Sequence, residues 1–286
     1  MITGKTKLLG VIGDPVEHSL SPAMHNAAIA HLNLDYIYLP LPVKKENLPE
    51  AIAGFKAIDL VGFNITIPHK QAIIPFLTEI SPSAKMVGAV NTVWRKEEGW
   101  WGTNTDVVGF LAPLKALTRS WSHITPIILG NGGAARAVVA GCSQLGCREI
   151  SVVGRDRHKL ELFKSSWQDS ALEATVTVRS WEDLPDIVSE AELLINTTPM
   201  GMYPQVDRCP LDATTMAKVR EGAIAYDLIY TPNPTQFLQQ AARRGAMAID
   251  GLEMLVQQGA AALEIWLGQP VPIDIMRQTL KEKLGL

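Results

Sequence analysis

The sequence predicts an α/β protein in which strands and helices alternate along most of the chain. Short apolar runs typical of strands alternate with amphipathic stretches typical of helices, which is the pattern of largely parallel sheets. The length of 286 residues favours two domains, because domains commonly contain about 150 residues. A glycine-rich turn near the middle of the chain lies between an apolar run and a helical stretch, which predicts a βαβ unit there.

The first part of the sequence predicts one α/β unit. Ser21 is the expected N-cap of its first helix and Pro22 the first helical residue, because serine accepts backbone hydrogen bonds there and proline needs no N–H donor. Asp106 is the expected N-cap of the helix that leaves this unit. We expect strands at residues 8–12, 36–43, 60–67 and 89–95, and helices at residues 21–31, 46–55, 68–77 and 106–117.

The second part of the sequence predicts a Rossmann-like unit. Since no strand is expected after residue 249, the C-terminal helices can pack back onto the first unit. The predicted domains are therefore residues 1–106 completed by residues 251–286, and residues 107–250. We expect strands at residues 126–129, 150–153, 174–178, 193–195, 223–230 and 247–249.

The composition excludes several classes of function. The net charge is −3, from 26 basic and 29 acidic residues without a Lys/Arg-rich block, which argues against a nucleic-acid or membrane-surface partner. No apolar run reaches the ~18 residues of a spanning helix and no signal segment opens the chain, so we expect a cytoplasmic protein with a small-molecule partner. Three cysteines without Cys-x-x-Cys spacing, and histidines without an HExxH pair, predict neither disulfides nor a metal site.

Residues 130–135 match the pattern G-x-G-x-x-A between a strand and a helix. Glycines allow a tight turn, and the free N–H groups at the positive end of the helix attract a pyrophosphate. Thr197, after the fourth strand of this unit, is expected to face the same crevice. A purely structural glycine turn and an ordinary polar loop are the alternatives. The predicted phosphate-binding residues are Gly130, Asn131, Gly132, Gly133, Ala134 and Ala135.

Two arginines follow the second strand of this unit, at the position that recognises the ribose of a dinucleotide. Arg155 and Arg157 favour a 2′-phosphate, and therefore NADP, because a guanidinium binds phosphate through two parallel hydrogen bonds. Asp156 between them is also a good N-cap for the next helix, so a solvated charge cluster at a helix start is the alternative.

Polar residues interrupt the apolar pattern of the first unit. Asn64 and Thr66 alternate along one strand face, although strands of parallel sheets are normally apolar on both faces. Lys70 is expected in the first turn of the following helix, where its charge opposes the helix dipole by about 0.3–1 kcal/mol. These departures indicate a ligand site where Asp106 meets Lys70. An exposed lysine and an N-capping aspartate are the structural alternatives.

Ser19 and Ser21 lie in one turn before the first helix, where two hydroxyls fit a carboxylate. Together with the residues above, seven segments resemble the shikimate dehydrogenase family in order and spacing, over essentially the whole chain. These segments are residues 19–22, 64–70, 88–92, 104–106, 130–135, 196–199 and 250–259.

The resemblance implies NADP-dependent reduction of 3-dehydroshikimate to shikimate in aromatic amino acid biosynthesis. It also implies an N-terminal substrate-binding domain and a Rossmann-like NADP-binding domain, with a cleft between them that closes over both ligands. Lys70 and Asp106 match the family's catalytic pair, in which the lysine transfers a proton and the aspartate orients it. Ser19 and Ser21 would bind the substrate carboxylate, Asn64, Thr66, Asn91, Tyr230 and Gln258 would surround the substrate ring, and Gly251 would lie near the nicotinamide.

The sequence departs from the family where the usual Asn-Arg-Thr is replaced by Gly154-Arg155-Asp156. An acid beside the 2′-phosphate leaves dual use of NAD and NADP open, unless its side chain turns toward the helix start. Two further alternatives are a quinate/shikimate dehydrogenase of broader substrate range and a catalytically silent NADP-binding regulator. A monomer and a homodimer are both compatible with the composition.

Overall fold

The chain forms two compact units, each with one six-stranded sheet, in a computed structural model that describes residues 2–168 and 170–286. The first unit comprises Met1–Gly109 and Leu255–Leu286, and the second comprises Phe110–Met254. No helix within the described ranges is long and apolar enough to cross a membrane.

The first unit is built on a mixed sheet. Its elements are β1 (Lys7–Gly13), α1 (Ser21–His31), β2 (Tyr36–Pro42), α2 (Leu48–Ala57), β3 (Gly62–Ile65), β4 (Glu79–Ile80), α3 (Pro82–Val87), β5 (Thr92–Lys96), β6 (Gly99–Thr103) and the first residues of α4 (Asp106–Lys115), which continues into the second unit. The strand order is β2-β1-β3-β5-β6-β4. β1 is parallel to β2 and β3, whereas β5 is antiparallel to β3 and β6. β4 is also parallel to β6, so three of the five strand pairs are parallel, as expected, and only the two pairs that involve β5 are antiparallel. A two-residue turn at Glu97-Glu98 joins β5 directly to β6.

The second unit is built on a fully parallel sheet. Its elements are β7 (Ile127–Leu129), α5 (Gly133–Gln144), β8 (Glu149–Gly154), α6 (Arg157–Ser165), β9 (Thr175–Ser180), α7 (Leu184–Ile187), β10 (Leu193–Asn196), α8 (Ala213–Ala217), β11 (Ile224–Asp227), α9 (Gln236–Arg243) and β12 (Met247–Ile249). The strand order β12-β11-β10-β7-β8-β9 is the 3-2-1-4-5-6 order of the doubly wound dinucleotide-binding fold. The order in which strands are added to the sheet reverses between β7 and β10, and ligands of such sheets bind beyond the carboxyl ends of the strands at that point.

The C-terminal helices α10 (Leu252–Leu267) and α11 (Ile273–Leu284) complete the first unit. α11 packs against α1. Trp266 of α10 donates its indole N–H to the carbonyl oxygen of Val93 in β5 at 2.9 Å. Gly62 in β3 makes room for the indole, because a Cβ atom at this position would lie 2.2 Å from Trp266 Nε1.

Lys70 does not lie on a helix, so the predicted helix at residues 68–77 is wrong. This segment forms consecutive turns that end in one short 3₁₀ turn at Ile74–Phe76. Pro75 has no N–H to donate, and a helix cannot continue through it without losing a hydrogen bond. The Lys70 carbonyl instead accepts the N–H of Val90 at 2.7 Å, and Ile73 is fully buried. The lysine is thus held by a turn, and no helix dipole opposes its charge.

Two of the three predicted N-caps are also wrong. Leu20 is in the N-cap position of α1, so that Ser21 is the first helical residue and Pro22 the second. Asp106 is likewise the first residue of α4 rather than its cap. Asp156 does cap α6, since its side chain accepts the N–H of Lys159. The carboxylate of Asp106 is therefore available for contacts other than helix capping.

β11 ends earlier than predicted. The strand expected at residues 223–230 stops at Asp227, because the Asp227 carboxylate accepts the N–H of Ile229 and draws the chain out of the sheet. Tyr230 consequently lies in the loop between β11 and α9.

Replacement of Gly62 by alanine is expected to destabilise the protein by roughly 1–3 kcal/mol, because the added methyl group overlaps the Trp266 indole and the Val93 carbonyl. Gly54→Ala is the matched control. It lies in α2, where an added Cβ meets nothing within 4 Å, and alanine favours a helix by about 0.5–1 kcal/mol. Urea unfolding measures both variants, and equal stability of the two would contradict the packing of α10 on β3.

Candidate active site

Lys70 and Asp106 form a close ion pair in the first unit. The Lys70 ammonium donates a hydrogen bond to Asp106 Oδ2 at 2.5 Å, and the two side chains are 16% and 8% exposed. Lys70 follows β3 on its turn, and Asp106 opens α4. The pair is therefore largely shielded from solvent, yet the amine keeps enough exposure to be reached by a ligand.

Asn91 holds the second oxygen of Asp106. The Oδ1 atom of Asn91 accepts the backbone N–H of Thr105 at 2.7 Å. Because a backbone N–H can only donate, the amide nitrogen of Asn91 faces the other way, and it donates to Asp106 Oδ1 at 2.8 Å. Both oxygens of Asp106 thus accept hydrogen bonds, one from an ammonium group and one from an amide. Such contacts fix the carboxylate in one orientation against Lys70.

Asn64 extends this network behind the pair. Its amide nitrogen donates to the Asn91 carbonyl oxygen and to Thr92 Oγ1, both at 3.1 Å. The Tyr38 hydroxyl donates to Asn64 Oδ1 at 2.7 Å. Tyr38, Thr92 and Thr105 were not predicted as site residues, although residues 88–92 and 104–106 belong to the segments that carry the resemblance.

Gln258 brings α10 to the same network. Its Oε1 atom accepts a hydrogen bond from the Asn91 amide nitrogen at 3.4 Å, and its own amide nitrogen donates to the Leu255 carbonyl at 2.9 Å. Gln258 is buried. Four predicted residues far apart in sequence, namely Lys70, Asn91, Asp106 and Gln258, therefore meet in one unit.

Ser19 precedes α1, Ser21 is its first residue, and Thr66 directly follows β3. The Oγ atom of Ser19 accepts the N–H of Ser21 at 3.3 Å. Thr66 packs against Gly13 at the end of β1, where a Cβ atom would lie 2.3 Å from Thr66 Cγ2. Within the described residues, none of these three side chains makes a hydrogen bond to Lys70, Asp106 or Asn91.

The glycine turn of the second unit meets the loop after β10. Gly130 has a φ of +104°, and a Cβ atom there would lie 2.7 Å from Thr197 Oγ1. The Thr197 hydroxyl donates to the Leu129 carbonyl at 2.7 Å, which holds the two loops together. A Cβ atom at Gly132, the N-cap residue of α5, would meet nothing within 4 Å. Open space therefore lies in front of the twelve-residue helix α5. The first N–H groups of this helix, from Gly133 onward, have no acceptor within the helix.

The remaining residues of this turn line the helix start. Asn131 and Ala134 are half-buried, whereas Ala135 is buried. This cradle fits a pyrophosphate, because small residues leave its N–H groups accessible and the helix dipole favours negative charge.

Asp156 is turned away from its two arginine neighbours. Its Oδ1 atom accepts the Lys159 N–H at 3.1 Å, and Oδ2 lies 3.6 Å from Lys159 Nζ. The backbone N–H of Lys159 is the main cause that lowers the pKa of Asp156. Arg155 and Arg157 are exposed, and neither side chain forms a hydrogen bond or ion pair with the residues that the structure describes. Both guanidinium groups are available to an anionic ligand.

Gly251 approaches the loop after β11. A Cβ atom at Gly251 would lie 2.1 Å from the Leu228 carbonyl oxygen, and the Gly251 N–H donates to the Ile229 carbonyl at 3.1 Å. Only glycine fits this approach. Tyr230 follows directly and is half-buried, so these two predicted residues belong to adjoining segments of the second unit.

Asp227 is a buried carboxylate that was not predicted as a site residue. It is fully buried, and it accepts hydrogen bonds from Asn196 Nδ2 at 3.0 Å, the Ile229 N–H at 3.1 Å and the Thr235 hydroxyl at 2.7 Å. Burial raises its pKa from 3.8 to about 6, and the charge of Asp250 acts in the same direction. The sequence did contain a signal for this residue, because Asp227 is an acid at the end of the otherwise apolar strand β11. In the described ranges, no group of three or more His, Cys, Asp or Glu side chains is placed to hold a metal ion.

Known proteins resemble the chain over its whole length. The family models of the shikimate dehydrogenase substrate binding domain and the shikimate 5′-dehydrogenase C-terminal domain match residues 11–93 and 251–281. A protein of Gloeothece citriformis named shikimate dehydrogenase (NADP(+)) is 65% identical over 286 residues, which cover 100% of this chain and 99% of that protein.

Solved structures share the fold of the chain. A shikimate dehydrogenase in complex with NADP+ has a TM-score of 0.89 at 37% identity, covering 99% of this chain and 98% of that chain. The ligand-free 5-ketofructose reductase of Gluconobacter sp. strain CHM43 has a TM-score of 0.84 at 36% identity, covering 98% of this chain and 100% of that chain. Reductases with different substrates therefore use this fold.

Asp227→Asn is expected to change how stability depends on pH. The pKa of Asp227 is raised to about 6, so the folded protein binds this proton more tightly than the unfolded chain does. The contribution of Asp227 to the free energy of unfolding therefore falls by about 3 kcal/mol as the pH rises from about 4 to about 6, and it stays low above that. Because asparagine does not titrate, urea unfolding should find the variant gaining stability relative to wild type across this range.

Asp212→Asn is the control with the opposite sign. The backbone N–H of Thr215 lowers the pKa of Asp212, so wild type loses this contribution as the pH falls. A stability difference between Asp227→Asn and wild type that does not grow with pH would contradict the raised pKa of Asp227.

Proposed function

The chain belongs to the shikimate dehydrogenase family of oxidoreductases, and we propose that it catalyses the reversible NADPH-dependent reduction of 3-dehydroshikimate to shikimate. The observation that carries this proposal is the 2.5 Å pair of Lys70 and Asp106, held by Asn91 in a largely buried site. A silent regulator that only binds NADP would have no use for such a pair. We place the reaction in the cytoplasm, in aromatic amino acid biosynthesis, carried out by a monomer or a homodimer.

Lys70 is the proposed proton-transfer group. In the direction of reduction, its ammonium donates a proton to the carbonyl oxygen of the substrate, and in the reverse direction its neutral amine removes the hydroxyl proton. Asp106 keeps the amine in position, and the exposed part of Lys70 allows it to regain a proton from solvent. The cofactor supplies or accepts the hydride.

The substrate is proposed to bind in the predicted domain that residues 1–106 and 251–286 form. The hydroxyls of Ser19 and Ser21, at the start of α1, suit a carboxylate that accepts hydrogen bonds. The amide and hydroxyl groups of the network around Asp106 suit the ring hydroxyls of shikimate, which both donate and accept. The proposed ring-binding residues are Asn64, Thr66, Asn91, Tyr230 and Gln258.

NADP is proposed to bind in the predicted domain of residues 107–250. Its pyrophosphate fits the start of α5, where small residues from Gly130 to Ala135 leave the N–H groups open. Arg155 and Arg157 are proposed to bind the 2′-phosphate, since both are exposed and Asp156 is occupied by the cap of α6. Thr197 and Gly251 complete the proposed cofactor site from neighbouring loops.

An absorbance assay of the reduced nicotinamide tests the proposal. Purified protein is mixed with shikimate and NADP+, and parallel assays contain quinate with NADP+ or 5-ketofructose with NADPH. Fast turnover of shikimate alone is expected, because the 65% identical relative is a shikimate dehydrogenase by name. Preference for quinate or 5-ketofructose would replace the proposed substrate, and NADP+ binding without any turnover would favour a regulator.

Lys70→Met, assayed in the same way, is expected to lower kcat by about 10²–10⁴-fold, the usual contribution of a positioned acid-base group. The apolar side chain keeps the length of lysine but cannot transfer a proton. The KM for shikimate should change much less than kcat. Lys45→Met is the control, because Lys45 is exposed in a different segment. Full activity of Lys70→Met would contradict the proposed mechanism.

Cofactor preference should depend on Arg155 rather than on Asp156. Arg155→Ala is expected to raise the KM for NADP+ by about 10-fold or more and leave the KM for NAD+ unchanged, because a charge-assisted hydrogen bond contributes about 1.5–3 kcal/mol. Asp156→Ser keeps a capping oxygen for α6 and removes the charge, so it should alter the KM for NADP+ by less than about threefold. Steady-state kinetics with both cofactors measure these values, and the exposed Arg148→Ala is the control. A large gain in NADP+ affinity in Asp156→Ser would indicate that the wild-type carboxylate repels the 2′-phosphate.

A further inference from the structure

Asp227 connects three segments of the second unit. Each of its hydrogen-bond donors belongs to a different segment: Asn196 ends β10, Ile229 lies in the loop after β11, and Thr235 is the N-cap of α9. Asp227 itself ends β11 and is fully buried. One carboxylate thus joins the ends of two neighbouring parallel strands to the helix that follows them.

Asn196 transmits this contact to the loop after β10. Its Oδ1 atom accepts the Thr198 N–H at 3.0 Å and the Thr198 hydroxyl at 2.7 Å, and its amide nitrogen also donates to the Met200 carbonyl at 3.2 Å. The same amide nitrogen donates to Asp227 Oδ1. Asp227 therefore accepts a hydrogen bond from the same side chain that holds this loop at Thr198 and Met200.

We propose that Asp227 is a positioning residue that sets the loop after β10 and the loop after β11 for binding of the cofactor and the substrate. The inference rests on the proposed function, in which Thr197 on the first loop contacts NADP and Tyr230 on the second contacts the substrate. Asp227 touches neither ligand in this assignment and acts through Asn196 and the Ile229 N–H.

The three donors explain why an acid occupies this position. The Asn196 amide nitrogen and the Ile229 N–H can only donate, and both point at Oδ1. The Thr235 hydroxyl donates to Oδ2 while its oxygen accepts the Leu238 N–H at 3.3 Å. An asparagine keeps an acceptor for the first two donors but turns an NH₂ group toward Thr235, and alanine accepts none of the three. Asp227→Asn is therefore expected to disturb the two loops less than Asp227→Ala does.

The test compares the wild type with Asp227→Ala, Asp227→Asn and Thr235→Val. The Kd for NADP+ is measured by isothermal titration calorimetry, and kcat and both KM values are measured by the absorbance assay. Asp212→Asn is the matched control, since it removes another carboxylate of the second unit that accepts a single backbone N–H, from Thr215. All measurements are made well below the unfolding temperature of each variant, so that a loss of stability alone does not alter binding.

Asp227→Ala is expected to raise the Kd for NADP+ and both KM values at least about 10-fold, and the other two variants about 2–5-fold. The kcat at saturation should change less than about threefold, because Lys70 and Asp106 are intact. Values within twofold of wild type in all folded variants would overturn the proposal, as would a change confined to kcat. If Asp227→Ala does not fold, Asp227→Asn and Thr235→Val decide by the same criteria. A wild type that binds NADP+ without oxidising shikimate would contradict the proposed function, while the NADP+ titrations would still test Asp227.

Discussion

The backbone N–H of Thr105 determines which groups donate and which accept in the hydrogen bonds around Asp106. Because this group can only donate, it turns the Asn91 oxygen toward itself and the Asn91 amide nitrogen toward the carboxylate. The Asn91 carbonyl can only accept, and it orients Asn64 in the same way. Two main-chain groups with fixed roles thus orient two side-chain amides. The polar groups beside Lys70 are arranged before a ligand binds, so little reorganisation accompanies the reaction.

Local patterns in the sequence predicted much of this arrangement. The glycine turn, the strand before it and α5 follow from the G-x-G-x-x-A pattern, because glycine and helix signals act over a few residues. The capping role of Asp156 followed from its position before α6. Lys70 was predicted to meet Asp106, and the two side chains do form an ion pair. The helix predicted for Lys70 is not formed, since Pro75 and the hydrogen bond from Val90 to the Lys70 carbonyl favour turns. That hydrogen bond joins two segments 20 residues apart and cannot be read from local propensity.

The site residues that were not predicted are held by contacts between residues far apart in the sequence. Tyr38 and Asn64 are joined by a hydrogen bond between two strands that are not neighbours in the sheet, so nothing in the pattern of either strand predicts it. Asp227 is similar, because its donors come from positions on both sides of it along the chain. Ser21 and Asp106 have side chains suited to N-caps, and each lies one residue further into its helix. The preference of serine and aspartate for the N-cap position therefore located the start of each helix to within one residue.

The first unit cannot complete its core until the C-terminal helix that carries Trp266 has been synthesised. Trp266 bonds to Val93 across 173 residues of sequence, and between them lies the whole second unit. Closing so long a loop is entropically costly, so the local β5–β6 hairpin forms before this contact does. The space above Gly62 stays unfilled until α10 has left the ribosome. Gln258 arrives on the same helix, so a chain interrupted before α10 lacks both the last part of the core and one member of the network beside Lys70.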